Sequence, residues 1–281
     1  MILIADSGGS KIDWRLLQKD GTIDQASAPG FNPYYQPIDD LKKTVQEVLV
    51  PRIKEKVEKI FFYGAGVSSE KNQTTIQEAL KIYFPDANIE IGWDLLAAAR
   101  ALCGSEPGIA CIMGTGSNSC LYDGEKITDI VANLGWVLAD EGSGAYIGKR
   151  FIKDYLRHDM PEPLRKQFYE RYPLHREEIL ERVYQHEKPS AFLASFTKFI
   201  FQHLKEPYCY QLMYSSFAEF YEGVVMKYPN YKNLPVHFTG SIAFYFSDVL
   251  RQVASDKGIR VQHILEGPIA GLTLFHKKDL Q

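Results

Sequence analysis

Residues 1–18 read MILIADSGGSKIDWRLLQ, and this stretch decides the fold. Its first six residues are apolar and rich in branched side chains up to a closing aspartate, which is typical of a buried strand. In the part after the glycines, Ile12, Trp14 and Leu16 alternate with polar residues, so a second strand follows the glycines and not a helix. The KDG turn at 19–21 and the TIDQAS segment behind it predict a third strand, which completes an antiparallel meander.

The turn DSGGSK at 6–11 has the residue types of a phosphate site. A Walker A loop or a dinucleotide-binding fingerprint must open a helix, and both are excluded because a strand follows here. Glycines let backbone N–H groups approach an anion closely, while a hydroxyl and a cation add further contacts. The candidate phosphate-binding residues are Gly8, Gly9, Ser10 and Lys11. Asp6 would hold magnesium through water, and a plain hairpin turn is the alternative.

The same order of elements begins again at Gly108. GIACIM predicts a strand, GTGS at 114–117 a glycine turn, and NSCLYD and EKITDIV two further strands. This repetition indicates two related domains that each open with a meander, although strand–turn units are common enough for chance to produce it. Two matched turns would grip the phosphates of one nucleotide from both sides. The candidates in the second turn are Thr115, Gly116 and Ser117.

The rest of the chain predicts an alternation of helices and strands and then a long helical region. Strands are expected at 59–66, 88–92, 234–240 and 259–265, and helices at 38–56 with a break at Pro51, 74–83, 94–103, 241–255 and from Pro268, with residues 143–228 helical throughout. Between Lys149 and Lys188 the helical region has ten basic against eight acidic residues. This near balance favours a solvated helical insertion over a surface for RNA.

Two further acidic positions are candidates for chemistry. Asp94 lies between a strand and a helix, where an aspartate is either an N-cap or a base that accepts the proton of a substrate hydroxyl. Asp140 and Glu141 precede a GSG turn and either cap the next helix or, with Gly135 and Trp136, line a sugar pocket. Paired carboxylates also fit a glycosidase, but that function leaves both glycine turns without a role.

The strand-to-helix junction FTGS at 238–241 is the third candidate for an anion or a ribose-phosphate. Free N–H groups at the start of a helix favour negative charge there. Gly240 and Ser241 are the residues concerned.

The composition is that of an ordinary globular protein. The chain has 281 residues, 45% of them hydrophobic, and a formal net charge of −3, which gives no electrostatic reason to expect a nucleic-acid partner. Its four cysteines lack CxxC spacing and the density of a secreted disulfide scaffold, so we expect reduced, buried thiols. No signal-peptide pattern and no membrane-length apolar run occurs, and we therefore expect a soluble cytoplasmic protein with no membrane partner.

Taken in order, the blocks DSGGSKIDW, GWDLLAAARAL, IMGTGSNS, LGWVLADEGSGAYIG and FTGSIA resemble the N-acetylglucosamine kinase and BadF/BadG-type ATPase family. This family lies within the superfamily of actin, hexokinase and heat-shock-protein ATPases. The resemblance implies an α/β fold of two ribonuclease-H-like domains around an ATP cleft. We place these domains at 1–112 and 113–281, with a helical insertion at about 145–230 and a last helix that could pack back on the first domain.

The resemblance also implies an ATP- and magnesium-dependent kinase for the 6-hydroxyl of N-acetylglucosamine or a related amino sugar. Asp94 matches the catalytic aspartate at the acceptor hydroxyl, and Asp6 belongs to the first phosphate motif. The remaining matches are Gly8, Gly9, Ser10 and Lys11 in the first phosphate motif, Thr115, Gly116 and Ser117 in the second, Gly240 and Ser241 in the adenosine motif, and Asn32, Gly135, Trp136 and Asp140 at the amino sugar.

Two other functions remain open on this scaffold. One family branch activates 2-hydroxyacyl-CoA dehydratases through an iron–sulfur cluster, which requires cysteines exposed at a subunit interface. The other alternative is a sugar-binding regulator without catalysis. No motif distinguishes N-acetylglucosamine from N-acetylmuramic acid, glucosamine or N-acetylmannosamine, and the aromatic-rich helical region is a candidate homodimer face.

Overall fold

The computed structural model describes residues 1–8 and 11–280. Among these residues, two five-stranded mixed sheets are flanked by helices. The strands are β1 (Ile2–Ser7), β2 (Lys11–Leu17), β3 (Ile23–Pro29), β4 (Lys59–Gly64), β5 (Asn88–Trp93), β6 (Gly108–Met113), β7 (Ser117–Tyr122), β8 (Ile127–Asp129), β9 (Val236–Thr239) and β10 (Val261–Leu265).

The helices fall before, between and after these strands. They are α1 (Ile38–Thr44), α2 (Glu70–Lys81), α3 (Asp94–Cys103), α4 (Gly135–Leu138), α5 (Gly144–Arg157), α6 (Glu162–Arg171), α7 (Arg176–Tyr184), α8 (Pro189–Ser195), α9 (Thr197–Gln202), α10 (Pro207–Gly223), α11 (Ser241–Tyr245), α12 (Ser247–Asp256) and α13 (Ile269–His276). A π-helical segment, Val45–Leu49, and 3-10 turns at Val50–Arg52, Val225–Lys227 and Lys277–Leu280 complete the described helical structure.

The two sheets have the same strand order. The first runs β3-β2-β1-β4-β5 and the second, read from the other end, β8-β7-β6-β9-β10. In each sheet the first three strands pair antiparallel. The fourth strand pairs parallel with the first strand of the meander, and the fifth pairs parallel with the fourth. The predicted α/β class and the predicted repetition of the meander are therefore confirmed.

Contacts between Cα atoms divide the described chain into two compact units. The first contains Met1–Ser105 and the C-terminal segment that begins at Gly267, and the second contains Glu106–Glu266. Helix α13 thus belongs to the first unit, where Leu272 shares a hydrophobic cluster with Ala97 of α3. The boundary expected between 112 and 113 falls inside β6, whose pairing with β7 and β9 keeps it in the second sheet.

Alternation along β1 gives the first unit two buried faces. Leu3 and Ala5 contribute to the cluster on one face and Ile2 and Ile4 to the cluster on the other, as period two requires. The first cluster also contains residues of α1, the π segment and α2, namely Leu41, Val45, Leu49, Ile76 and Leu80. The chain therefore needs helices on both faces of this sheet, and α3 and α13 supply them on the second face.

Two of the predicted helices are interrupted in the structure. The helix expected at 38–56 passes into the π segment and stops at Arg52, because Pro51 has no N–H group to continue the ladder. The helix expected at 241–255 is divided at Phe246, whose buried ring packs edge-on against Phe201. The region expected to be helical at 143–228 is a series of separate helices, α5 to α10 and a 3-10 turn.

The described residues include no helix that combines the length and the apolar character needed to cross a membrane.

Candidate active site

Two carboxylates lie at one edge of the first sheet. Strands β1, β4 and β5 run parallel, so their carboxyl ends meet at the same edge. Asp6 is the penultimate residue of β1, and Asp94 is the first residue after β5. Ligands of open α/β sheets bind at this edge, which makes it the first place to look for chemistry in this unit.

Asp6 is surrounded by other acidic groups. Its register partner on β2 is Asp13. Burial, followed by the charges of Asp13 and Asp94, raises the pKa of Asp6 to about 7, while Lys11 acts in the opposite direction. A carboxylate whose pKa is raised by neighbouring negative charges gains from a cation placed beside it.

Asp94 begins helix α3 and does not cap it. Trp93 occupies the N-cap position, and the backbone N–H of Leu95 donates to Oδ1 of Asp94 over 2.9 Å. Burial raises the pKa of Asp94, and the backbone hydrogen bonds only partly oppose this. The predicted N-cap alternative therefore does not describe this residue, whose half-buried carboxylate has a raised pKa.

The first glycine turn is described only in part. The N–H of Gly8 donates to the carbonyl of Lys11 over 2.9 Å, which is a hairpin closure. Nζ of Lys11 lies 2.7 Å from Oδ2 of Asp13. Gly9 and Ser10, predicted to bind phosphate, lie outside the described residues.

Asn32 lies in the loop that follows β3, near the same edge. Oγ of Ser7, the last residue of β1, donates to the carbonyl of Phe31 over 2.9 Å and ties this loop to the strand end. Oδ1 of Asn32 accepts the N–H of Tyr34 over 3.0 Å, as in an Asx turn. The first unit therefore gathers the described candidates Asp6, Gly8, Lys11, Asn32 and Asp94 around the ends of β1 and β5.

The second glycine turn joins β6 to β7 and is fixed by the chain that leads into α5. Gly144 donates its N–H to the Gly114 carbonyl over 2.8 Å, and Ala145 donates to the Thr115 carbonyl over 3.0 Å. Across the described residues, the backbone N–H groups of Thr115 and Gly116 make no hydrogen bond. These two donors suit an anion.

Asp140 lies directly against this turn. Its carboxylate accepts from Nδ2 of Asn133 over 3.3 Å and from the backbone of Ser117, and burial raises its pKa. A Cβ atom on Gly116 would come 2.9 Å from Oδ2 of Asp140. Asp140 itself has a φ of 60°, a left-handed conformation that is uncommon outside glycine and that aspartate tolerates better than most residues.

Gly240 brings the third predicted motif to the same place. At a φ of 119°, it lies so close to the end of β6 that a Cβ would be 2.4 Å from the Met113 carbonyl oxygen. Only glycine fits both the conformation and the space. Ser241 begins α11, which ends at Tyr245, so the helix behind this junction is one short turn and not the long helix expected.

Gly135 and Trp136 form the start of the short helix α4 in the second unit. The N–H of Gly135 donates to Oδ1 of Asn133 over 3.0 Å, and Nζ of Lys149 donates to the Trp136 carbonyl over 3.0 Å. Since Asn133 also contacts Asp140, one side chain connects these predicted sugar residues.

Sequence reasoning missed Asn133, Asp13 and Gly66. Asn133 precedes Gly135 by two residues, the spacing of an Asx turn, and this signal was available. Asp13 alternates with apolar residues in a strand and resembles any solvent-facing aspartate. The role of Gly66 depends on a contact with a distant loop, which no local pattern reports.

The possible metal ligands and the four cysteines are the remaining reactive groups of the chain. Among residues 1–8 and 11–280, no group of three or more histidine, cysteine, aspartate or glutamate side chains is arranged to hold a metal ion. Magnesium at Asp6 stays a prediction. The four cysteines are buried as expected, and burial raises the pKa of Cys103 and of Cys209 to about 12.

The repeated sheet order and the glycine turns at the strand ends define the chain as a two-domain α/β protein with the actin-like ATPase fold. A protein from Porphyromonas gingivalis, described as a provisional N-acetylglucosamine kinase, is 40% identical, with 99% of each chain covered and a TM-score of 0.92. On this similarity, the chain belongs to the N-acetylglucosamine kinase and BadF/BadG-type ATPase family.

More distant solved structures share the fold. A Chromobacterium violaceum protein, also described as a provisional N-acetylglucosamine kinase, is 18% identical with a TM-score of 0.72, and the match covers 100% of this chain and 98% of that one. A ROK family protein from Streptococcus pneumoniae is 14% identical with a TM-score of 0.57 over 99% and 98% of the two chains. Scans of family models and of curated proteins return no match.

Proposed function

We propose that the chain is an ATP-dependent sugar kinase that phosphorylates the 6-hydroxyl of N-acetylglucosamine or a closely related amino sugar. The observation that carries this proposal is the half-buried carboxylate of Asp94 at the carboxyl edge of the first sheet, with a raised pKa. The description of the Porphyromonas gingivalis relative as a provisional N-acetylglucosamine kinase supports the same reaction.

Asp94 is the proposed general base. It accepts the proton of the acceptor hydroxyl while the hydroxyl oxygen bonds to the γ-phosphorus of ATP. The bond from that phosphorus to the bridging oxygen breaks, and ADP leaves with the electron pair. General-base assistance of this kind contributes roughly 10² to 10⁴ in rate, and the remainder comes from positioning and charge stabilisation.

The second glycine turn is proposed to bind phosphate through its backbone. The unengaged N–H groups of Thr115 and Gly116 are the donors, because the Ser117 hydroxyl already donates a hydrogen bond to the Glu141 carbonyl over 3.0 Å. Preorganised donors stabilise developing charge without reorganising during the reaction. Gly240 and Ser241 are proposed to contact the adenosine. The first glycine turn is proposed to contact the remaining phosphate oxygens, through Gly8, Gly9, Ser10 and Lys11.

Asp6 is the proposed magnesium residue. Burial and the neighbouring charges of Asp13 and Asp94 raise its pKa, and a divalent cation would relieve this crowding of negative charge. Bound magnesium supplies positive charge that offsets the charge of the phosphates.

The amino sugar is proposed to contact Asn32, Gly135, Trp136 and Asp140. Asp140 can accept hydrogen bonds from sugar hydroxyls through its carboxylate, while Asn133 and Ser117 hold it in place. Asn32 offers an amide, and Trp136 offers an indole ring that is partly buried against the hydrophobic core of the second unit.

The dehydratase-activator alternative is not favoured. A cluster shared between subunits requires thiols at the surface, and all four cysteines are buried.

The experiment that tests the proposal is a coupled ADP-release assay over N-acetylglucosamine, N-acetylmuramic acid, glucosamine and N-acetylmannosamine. We expect sugar-dependent ADP release with at least one amino sugar and its loss in Asp94→Asn, with sugar binding retained in calorimetry. Binding without turnover in the unmodified protein would favour the regulator. Near-normal turnover in Asp94→Asn would disprove the role of Asp94.

A further inference from the structure

Gly66 lies directly against the loop that holds Asn32. It follows β4 with a φ of 77°, and a Cβ at this position would be 2.5 Å from Oδ1 of Asn32 and 2.9 Å from Cδ2 of Tyr34. Both distances are shorter than carbon–oxygen and carbon–carbon contacts allow. An alanine here is therefore strained by the backbone conformation, and it would force the Asn32 amide and the Tyr34 ring to move.

Hydrogen bonds hold the two sides of this contact. On the Gly66 side, Nδ2 of Asn72 in α2 donates to the Gly66 carbonyl over 2.8 Å. On the loop side, the N–H of Asn32 donates to Oε1 of Gln36 over 2.9 Å, and Nε2 of Gln36 donates to the Gly30 carbonyl over 3.1 Å. The backbone is therefore held in place on both sides of the contact between Gly66 and the Asn32 side chain.

The Asn32 side chain is engaged on one side only. Its Oδ1 accepts the Tyr34 N–H, whereas no described residue accepts a hydrogen bond from its Nδ2. The neighbouring rings of Tyr34 and Tyr35 are 61% and 85% exposed. Amide donors beside exposed aromatic rings are the groups that a sugar requires, since they pair with its oxygens and cover its apolar face.

We propose that Gly66 is a positioning residue for the acceptor sugar, because it provides the space in which the Asn32 amide and the Tyr34 ring take up their sugar-binding placement. This inference rests on the proposed sugar kinase function. Gly66 acts through Asn32 and does not touch the phosphates. Its loss should therefore weaken sugar binding and leave nucleotide binding unchanged.

The test compares Gly66→Ala with Gly21→Ala. Gly21 has a φ of 88° and no atom within 4 Å of its Cβ position, so alanine there brings the same backbone strain without a clash. With N-acetylglucosamine and ATP–magnesium, Gly66→Ala should raise the sugar KM about tenfold, the effect of one misplaced polar contact. The KM for ATP and kcat should stay within about twofold. Gly21→Ala should leave both KM values unchanged.

A double-mutant cycle with Asn32→Ala separates positioning from general damage. Once the Asn32 amide is absent, Gly66→Ala should add little to the sugar KM, because the two changes act on one contact. Additive effects, or equal rises in the KM for sugar and for ATP, would overturn the inference. If Gly66→Ala does not fold, Asn72→Ala is the substitute, and an unchanged sugar KM in that variant would overturn it as well. Failure of the unmodified protein to phosphorylate any sugar would reject the proposed function itself, a result distinct from an unchanged KM in an active enzyme.

Discussion

The half-buried carboxylate of Asp94 is the residue-scale feature on which the proposed function depends. Asp94 has a raised pKa because burial disfavours its charged form more than its backbone hydrogen bonds favour it. Such a group costs stability when ionised, and a protein that retains one gains a base of more than ordinary strength at that position.

The pH dependence of kcat should show this shift. Asp94 must be deprotonated to accept a proton, so the rate falls as pH decreases through its pKa, and the raised pKa moves that acid limb above the ordinary aspartate value of 3.8. Initial rates of sugar-dependent ADP release at saturating substrates measure it. A kcat that stays constant down to the ordinary value would contradict the assignment, and the residual rate of Asp94→Asn should lack the limb.

The second glycine turn offers a matched pair of substitutions. A Cβ on Gly116 would lie 2.9 Å from Oδ2 of Asp140, whereas a Cβ on Gly114 would have no neighbour within 4 Å. Gly116→Ala should displace the Asp140 carboxylate from Asn133 and Ser117 and lower the free energy of unfolding by about 1 kcal/mol.

Chemical denaturation of the two variants measures this difference. Gly114→Ala serves as the control and should cost clearly less. Equal losses of unfolding free energy in both variants would show that the contact with Asp140 does not explain the need for glycine at position 116.

Sequence pattern predicted candidate residues where a local signal exists, and it missed Gly66, which acts through a distant contact. Asp94 and the GTGS turn were found because a strand end with a carboxylate or glycines is a local signal. Gly66 was missed because its constraint comes from Asn32, more than thirty positions earlier in the printed sequence. The roles assigned to the predicted site residues are predictions.

At the scale of elements, helix α13 is attached to the first sheet by a buried polar chain. Nη1 of Arg100 donates to Oη of Tyr63 over 2.6 Å, and Oη lies 2.7 Å from Nε2 of His276. Since Oη accepts from Arg100, its own proton is available for Nε2, which leaves the proton of His276 on Nδ1, 3.0 Å from Oδ2 of Asp279. Burial lowers the pKa of His276, which fits a neutral ring in this chain.

Replacing His276 by phenylalanine tests how firmly this helix is held. The stack on Phe61, with ring centroids 3.6 Å apart, is retained, while the hydrogen bonds to Tyr63 and Asp279 are lost. We expect a loss of about 1–3 kcal/mol in the free energy of unfolding, measured by chemical denaturation.

His186→Phe is the control for this substitution. The His186 side chain is exposed and contacts only Glu181 among the described residues. Its replacement should change stability little, because exposed ion pairs contribute little. A loss at 276 no larger than the loss at 186 would contradict the view that the polar chain holds α13.

Element boundaries were predictable where residues that start or end a helix or strand mark them in the sequence. Helix α3 was predicted correctly at 94–103, because the strand before it and Gly104 after it mark both ends. The division of the 241–255 helix at Phe246 was missed, since the spacing of apolar residues continues through it. Burial of that ring beside Phe201 is a tertiary preference that overrides helix propensity.

The whole molecule consists of one topology used twice, and this was readable from the repeated order of strand, glycine turn and strand. The pairing of β4 and β9 with the first strand of each meander could not be read in the same way, because parallel partners are distant in sequence. The inferred function therefore depends on two glycine turns in equivalent positions together with the carboxylates at the strand ends.

The most direct test of the central claim is identification of the product. Incubation with ATP, magnesium and the preferred amino sugar, followed by phosphorus NMR and mass spectrometry, should reveal a phosphomonoester on the 6-hydroxyl, formed in equal amount with ADP. ADP that appears without a sugar phosphate, or at a rate independent of the sugar, would contradict the account.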